Sequence, residues 1–473
     1  MNIKHTFPLN IFRAYDIRGK LCNLTPPIIA SIAHALALQY QNAQQTRVVI
    51  GYDARLSSPY YAQIIQQILT TQGLQVTNIG CCSSPMMYYI ARNFDGNGIM
   101  VTASHNPKSD NGIKWIVQGE PPCPDAIQQV GQLAQLSISN IQPCNEFDTI
   151  AHQMLPQYCL QYQHALIRDI QLSRPLKVVL DGLHGSAGQC AKLVLEKLGC
   201  EVTALRCEAN GHFPDHAPDP SLAVHLQQLQ AAIIDQQADI GIALDGDGDR
   251  VVIVDEQARI ISPDRLLCLF AQMCLAQHPE KEIVFDVKCS QMVADTVQQL
   301  NGHATMIRTG SSFLRAYLSQ SKGAAVFGGE YAGHYVFNDG RGFGYDDGLY
   351  AALRVMEYFI QSTAANLSEL LVIYPERHFT EDIYISTHAA NPLQVLDHVE
   401  SLSQQLGARL SKIDGVRLDF NDGFGIMRAS NTGEYFTVRF DADQPQRLNE
   451  IRQLFVAMLQ HQYPKIAHEL AQA

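Results

Sequence analysis

The sequence predicts an α/β protein: three related α/β domains with mostly parallel or mixed sheets, followed by a smaller C-terminal α+β domain. Two observations carry this prediction. One strand–helix–glycine–strand plan occurs three times, and a run of alternating strands near the C-terminus breaks it. A third observation, the length of 473 residues, suits three or four domains at roughly 100–200 residues each.

The repeats begin with short apolar runs of the buried-strand kind, "RVVIGYD" ending at Asp53, "LKVVLD" at Asp181 and "EIVFD" at Asp286. After each comes a helix-length segment and a glycine placed to end it: Gly73, Gly199 and Gly302, at 20, 18 and 16 residues from the aspartate. A second strand follows ("LQVTNIG", "CEVTALR", "HATMIRTG"), then an apolar strand ending in a polar loop ("GIMVTASHNP", "IGIALDGDGDR", "GAAVFGGEYAGH"). Alternating strands and helices imply sheets with helical crossovers, and such sheets present ligand groups beyond the carboxyl ends of their strands. From about Glu376, "EDIYIS", "VRLDF", "FGIMRAS" and "YFTVRFDA" read as antiparallel strands, with helices around Pro392–Leu406 and Gln444–His461. Boundaries near 155, 258 and 374 give domains 1–155, 156–258, 259–374 and 375–473.

Apolar residues make up 46% of the chain, ordinary for a globular protein, and the net charge is −12. That charge argues against nonspecific binding to nucleic acid or an acidic membrane, though a local arginine cluster can still capture an anionic substrate. The N-terminus shows no apolar signal region, and no run reaches the ~18 apolar residues of a membrane span. The 12 cysteines are scattered without a C-x-x-C pair, which reads as reduced thiols and a cytoplasmic protein.

Four loops carry chemistry. Ser104, followed by His105, Asn106 and Pro107, stands at a strand end as a nucleophile or covalent phosphate carrier. Asn111-Gly112 reads as a tight turn that returns Lys114 towards it. In Asp245-Gly-Asp247-Gly-Asp249-Arg250, three alternate carboxylates converge on a hard cation, with glycines permitting the curl. An EF-hand would require glycine where Arg250 stands and helices where strands are expected. Only three carboxylates favour Mg²⁺ over Ca²⁺, leaving room for water and a phosphate oxygen. The third loop, Glu330-Tyr331-Ala332-Gly333-His334, offers groups suited to sugar hydroxyls. The fourth, Arg428-Ala-Ser430-Asn431-Thr432 with Arg439 beyond, suits a phosphate. Tyr15 and Arg18, in "FRAYDIRG", either line a site or anchor the terminus. Each loop alone is also readable as an ordinary turn.

The motifs "FRAYDIRG", "TASHNP", "DGDGDR", "GEYAGH" and "RASNT", in this order from Phe12 onward, resemble those of the α-D-phosphohexomutase superfamily, most closely its phosphomannomutase/phosphoglucomutase branch. The resemblance implies four domains around a central cleft and a reversible transfer of phosphoryl between the 1- and 6-positions of a mannose or glucose phosphate. Ser104 would be the phosphoserine and hexose 1,6-bisphosphate the intermediate and activator. Asp245, Asp247 and Asp249, with Ser104, would hold one Mg²⁺. His105, Lys114 and Arg250 would lie near the transferring group, while Tyr15, Arg18, Lys288, Glu330 and His334 would bind substrate. Arg428, Ser430, Asn431 and Thr432 would grip the phosphate that is not reacting. The expected partners are hexose phosphates, without nucleic acid or membrane, in a monomer or weak homo-oligomer.

Three positions depart from the pattern: Ala332 where many relatives have serine, Ser311 where some have histidine, and Glu434 where proline is usual. Glu434 would point away from the phosphate loop or pair with a cation such as Arg439. The sole tryptophan, Trp115, is expected across the cleft from the phosphate clamp and would report closure. The rivals are disfavoured: a phosphoglucosamine mutase and a strict phosphoglucomutase by "FRAYDIRG" and "GEYAGH", a noncatalytic sugar-phosphate-binding protein by the intact Ser104, Asp245, Asp247 and Asp249, and a Ca²⁺ module by Arg250.

Overall fold

The computed structural model describes residues 7–137, 155–404, 406–430 and 433–473. The chain divides into two compact units, Met1–Ile261 with Ala332–Leu370, and Ser262–Tyr331 with Leu371–Ala473. The first contains two α/β sheets, and the second contains the third α/β sheet and an antiparallel one.

In the first unit, β1 (Ile17–Lys20), β2 (Arg47–Tyr52), β3 (Gln75–Cys81), β4 (Gly98–Val101) and β5 (Asp110–Ile116) lie in the order β1-β5-β4-β2-β3. Strand β2 is parallel to β3 and β4, while β5 is antiparallel to β4 and β1. The sheet is therefore mixed, because the chain doubles back directly after β4. The turn that does this is Pro107–Asp110, where the Asp110 N–H donates to the Pro107 carbonyl at 3.0 Å. Asn111-Gly112, expected as the turn, instead lies within β5 opposite Gly19 and Arg18. Glycine is needed at 112 because a Cβ there would meet the Ile17 carbonyl oxygen at 2.3 Å. Helices Pro26–Asn42 and Ser58–Thr71 cover the sheet, and Leu36, Ile50, Ile65, Val101 and Trp115 share its core.

The second sheet runs β7-β6-β8-β9, from β6 (Lys177–Asp181), β7 (Glu201–Leu205), β8 (Ile240–Leu244) and β9 (Val251–Asp255). Strand β6 is parallel to both neighbours, and β8 and β9 form an antiparallel pair. In the second unit β10 (Glu282–Asp286), β11 (His303–Ile307) and β12 (Ala325–Gly329) run parallel in the order β11-β10-β12. A short strand, β13 (Tyr335–Phe337), belongs to the first unit. The first strand of each repeat, β2, β6 and β10, is buried along most of its length, as a central strand covered on both faces requires, whereas β7 and β11 at the sheet edges are only half-buried. Gly73 and Gly199 take the left-handed cap as expected (φ +88° and +87°), but in the third repeat Asn301 does so at φ +57°. Gly302 is small for another reason: a Cβ would strike Leu275 at 2.6 Å.

The C-terminal sheet joins β14 (His378–Phe379), β15 (Ile383–Ser386), β16 (Arg409–Ser411), β17 (Val416–Asp419), β18 (Gly423–Ala429) and β19 (Tyr435–Ala442), all antiparallel. Helices Pro392–Ser403 and Pro445–Gln460 accompany it, and Val399, Phe436, Phe440 and Phe455 are among its core residues. The predicted fold class is the one observed.

Candidate active site

In the first unit the ends of β4 and β8 bring the serine loop and the aspartate loop together. Ser104 is buried, and its hydroxyl donates to Asp245 Oδ2 at 2.6 Å. His105 Nδ1 lies 3.2 Å from Ser104 Oγ. Gly246 makes the approach possible, since a Cβ there would meet the Ser104 carbonyl oxygen at 2.5 Å. Gly248, at φ +74°, supplies the curl that turns Asp245, Asp247 and Asp249 inwards. Ser104 itself is left-handed, φ +50°, a conformation that a residue with a Cβ holds only under constraint.

The three aspartates are buried, and each offers an oxygen within 4.8 Å of the others. Lys114, on β5, donates to Asp247 Oδ2 at 2.8 Å and Asp249 Oδ2 at 2.5 Å. Ser84 also donates to Asp247, at 2.6 Å. Asp247 Oδ1 and Asp249 Oδ1 are buried without a hydrogen bond. Burial, then Asp249 and Asp247, raise the Asp245 carboxyl to about 8. Like charges this close, with carboxylate oxygens left over, fit a hard divalent cation held by Asp245, Asp247 and Asp249. The loop sits between β8 and β9, not between helices, and Glu256 bonds Ser368 instead of pointing into it. The EF-hand alternative therefore fails.

Cations ring the serine. Burial and the charges of Arg250, Arg18, His334 and Lys114 push the His105 imidazole well below its usual range, so it is neutral. Arg18 Nη1 donates to Asn106 at 3.0 Å and Nη2 to Asp16 at 2.5 Å, with half-buried Tyr15 nearby. Arg250 Nε donates to His334 Nε2 at 2.8 Å, and His334 Nδ1 meets Asp346 at 2.9 Å. Burial disfavours a charged His334, but Asp249 and Asp346 outweigh it and raise its pKa; in its neutral form the Arg250 bond to Nε2 places the hydrogen on Nδ1, towards Asp346. Such a ring favours an anion beside Ser104.

In the second unit, Lys288 follows β10 and donates to Asp382 at 2.8 Å. Glu330, at the end of β12, accepts the Gly310 N–H at 2.5 Å. Arg428, near the end of β18, donates through Nε to Asp414 Oδ2 at 2.9 Å, and Asp414 also accepts the Thr309 N–H at 3.2 Å. Burial raises the Asp382 carboxyl, but Lys288, then Arg439 and Arg428, outweigh it and lower its pKa. Ser430 accepts the Gly433 N–H, and Asn431 and Thr432 lie outside the described residues. Glu330 and His334, adjacent in one motif, fall in different units. Ser311 opens helix Ser311–Gln320, and Glu434 is exposed.

Two expectations need correction. Arg439 belongs to neither a surface clamp nor an ion pair with Glu434. It is fully buried 3.5 Å above the Tyr331 ring and held by Asp264 at 3.2 Å and by the Lys288 carbonyl. Trp115 faces away from Lys114, as strand alternation requires, and bonds Gln39 in the core. The structure adds Ser84, Asp346 and Asp414 to the polar groups. It also shows a buried network of Asp53, Arg55 and Thr102 beneath the serine loop. Only the position of Asp53 at a strand end hinted at it. None of the eleven described cysteines forms a disulfide.

Family models described as phosphoglucomutase/phosphomannomutase α/β/α domains I, II and III match residues 9–136, 158–258 and 262–377. The chain is 37% identical to a phosphoglucomutase of Neisseria meningitidis, covering 95% of this chain and 97% of that one. It is 35% identical to a phosphomannomutase/phosphoglucomutase of Pseudomonas putida, covering 97% of each. A crystal structure of a phosphoglucomutase/phosphomannomutase family protein from Burkholderia thailandensis aligns with a TM-score of 0.85 at 32% identity, over 96% of this chain and 98% of that one.

Proposed function

This chain belongs to the phosphoglucomutase/phosphomannomutase family of α-D-phosphohexomutases, and on that basis we propose that it interconverts the 1- and 6-phosphates of glucose, mannose or both. The observation that carries this reading is the 2.6 Å contact of Ser104 with an aspartate of a buried, cation-demanding triad, inside a ring of positive charge.

Phosphoserine 104 gives its phosphoryl group to a hydroxyl of the hexose phosphate. The Ser104 Oγ–P bond breaks, a sugar O–P bond forms, the proton of the sugar hydroxyl ends on the Ser104 oxygen, and hexose 1,6-bisphosphate results. The sugar then turns, and its other phosphoryl returns to Ser104. Such transfers depend mainly on positioning and neutralising charge. Asp245, Asp247 and Asp249, with Ser104, would hold a divalent ion, read as Mg²⁺ from the oxygen donor set, and that ion would offset negative charge on the phosphoryl oxygens. Lys114 spends two of its three ammonium hydrogens on Asp247 and Asp249 and keeps one for a phosphoryl oxygen. Arg250, oriented by His334, has both Nη groups for the same task. Neutral His105 exchanges a proton at Nδ1 with the Ser104 oxygen 3.2 Å away.

In the second unit, Lys288 and Glu330 are assigned to the sugar and Arg428, Ser430, Asn431 and Thr432 to the idle phosphate. Arg428 uses Nε on Asp414 and retains its Nη pair for that phosphate. The four-part division at 155, 258 and 374, a cytoplasmic location and a monomer or weak homo-oligomer complete the proposal. No described helix is long and apolar enough to cross a membrane. A coupled assay with glucose 1-phosphate and mannose 1-phosphate, primed with the matching 1,6-bisphosphate, tests it. Formation of a 6-phosphate from at least one supports the reading, and turnover of neither with Mg²⁺ present refutes it.

A further inference from the structure

The left-handed backbone of Ser104 has an identifiable restraint that no motif contains. Arg55 follows β2 and is buried, with a side chain only 1% exposed. Its guanidinium has five N–H groups, and each has an acceptor. Nε donates to Asp53 Oδ2 at 3.0 Å. Nη1 donates to the carbonyls of Pro107 at 2.7 Å and Asp110 at 3.0 Å. Nη2 donates to the carbonyls of Ser104 at 2.7 Å and Asn106 at 2.6 Å. One planar fork therefore collects four carbonyls of the loop that carries the serine.

The other side of Ser104 is held by the same anchor. Its N–H donates to Thr102 Oγ1 at 2.8 Å, and Thr102 Oγ1 donates to Asp53 Oδ2 at 2.8 Å. Asp53 is fixed in turn by the Ser58 hydroxyl at 2.6 Å and the Arg55 N–H at 3.0 Å. The N–H and C=O of Ser104 are thus both tied to Asp53, one through Thr102 and one through Arg55. At φ +50° a serine relaxes towards the right-handed or extended region once either tie is cut, and its Oγ swings with it.

We infer that Arg55 is a positioning residue for the phosphoryl-carrying serine, acting with Asp53 and Thr102 through the Ser104 backbone. It contributes to turnover, not to sugar-phosphate binding. The inference rests on the mutase reading above. A lysine at 55 keeps the charge but has three donors on a flexible stem and cannot serve four carbonyls and a carboxylate.

The test compares wild type, Arg55→Lys, Arg55→Ala and Thr102→Val with glucose 1-phosphate, mannose 1-phosphate and their bisphosphates, below each protein's melting temperature. For Arg55→Lys, kcat falls about a hundredfold, as for a misplaced reacting group, while KM stays within about twofold. Thr102→Val, which leaves Arg55 intact, moves kcat in the same direction and stays informative if an Arg55 variant fails to fold. Low-millimolar guanidinium restores part of the rate of Arg55→Ala, a response that loss of stability alone would not show. Folded Arg55→Lys and Thr102→Val with wild-type kcat, or with losses confined to KM, would overturn the assignment while leaving the mutase reading standing. A wild type that converts neither sugar phosphate overturns both.

Discussion

Asp245 shows how one residue's environment becomes a measurable property of the protein. Its carboxyl moves from the usual 3.8 to about 8, first because it is buried and then because Asp249 and Asp247 lie beside it. The folded protein without a divalent ion therefore binds a proton that the unfolded chain releases. Its stabilising effect is complete below about pH 4 and is lost as pH rises through about 8. Burial likewise holds Asp347 at about 7, which adds loss over the upper part of that window. The melting temperature of the EDTA-treated protein should fall between about pH 5 and 8, and the rise produced by Mg²⁺ should grow over the same interval, because the ion takes the deprotonated carboxylate. Trp115 emission reads this transition for the first unit. A Mg²⁺ effect that is flat or shrinks with pH would contradict the account. At this scale the sequence was a partial guide. The aspartates were legible because three like charges this close call for a cation, and Ser104 became so only through the order of the motifs around it. Arg439 was not, because an arginine in a loop-like motif reads as exposed until its stack on Tyr331 is seen.

The elements that meet at the site were legible too, apart from the geometry of their ends. The three repeats announce their strands through short buried apolar runs, and the tail announces its antiparallel sheet through alternation. Hidden were the return of β5, which puts Gly112 inside a strand, and the switch from Gly302 to Asn301 as the left-handed cap. Both depend on contacts remote in sequence. The aspartate loop makes the same point functionally. Gly246 is there because the Ser104 carbonyl oxygen would lie 2.5 Å from any Cβ. Gly246→Ala should fold with a modest loss of stability but separate the two loops, lowering kcat on the order of tenfold to a hundredfold. Weaker Mg²⁺ binding should accompany the loss. Calorimetric titration with Mg²⁺ beside the rate assay checks this, and wild-type values for both would show that the close approach is dispensable.

For the whole molecule, the order of the motifs from the N-terminus to the final sheet carried more information than any one of them. Single loops read equally well as turns, whereas their sequence along the chain pointed to one family. The restraint on Ser104 stayed invisible because Asp53 and Arg55 stand outside the five motifs and meet Thr102, the first residue of "TASHNP", only in the folded first unit. The central claim is that the phosphoryl group passes through Ser104. It is tested most directly by mass spectrometry of the protein treated with glucose 1,6-bisphosphate and then chased with glucose 1-phosphate. The peptide containing Ser104 should gain about 80 Da, the mass of one phosphoryl group, and lose it during the chase as bisphosphate forms. An enzyme that turns over glucose 1-phosphate while that peptide stays unmodified, with Ser104→Ala equally active, would contradict the account.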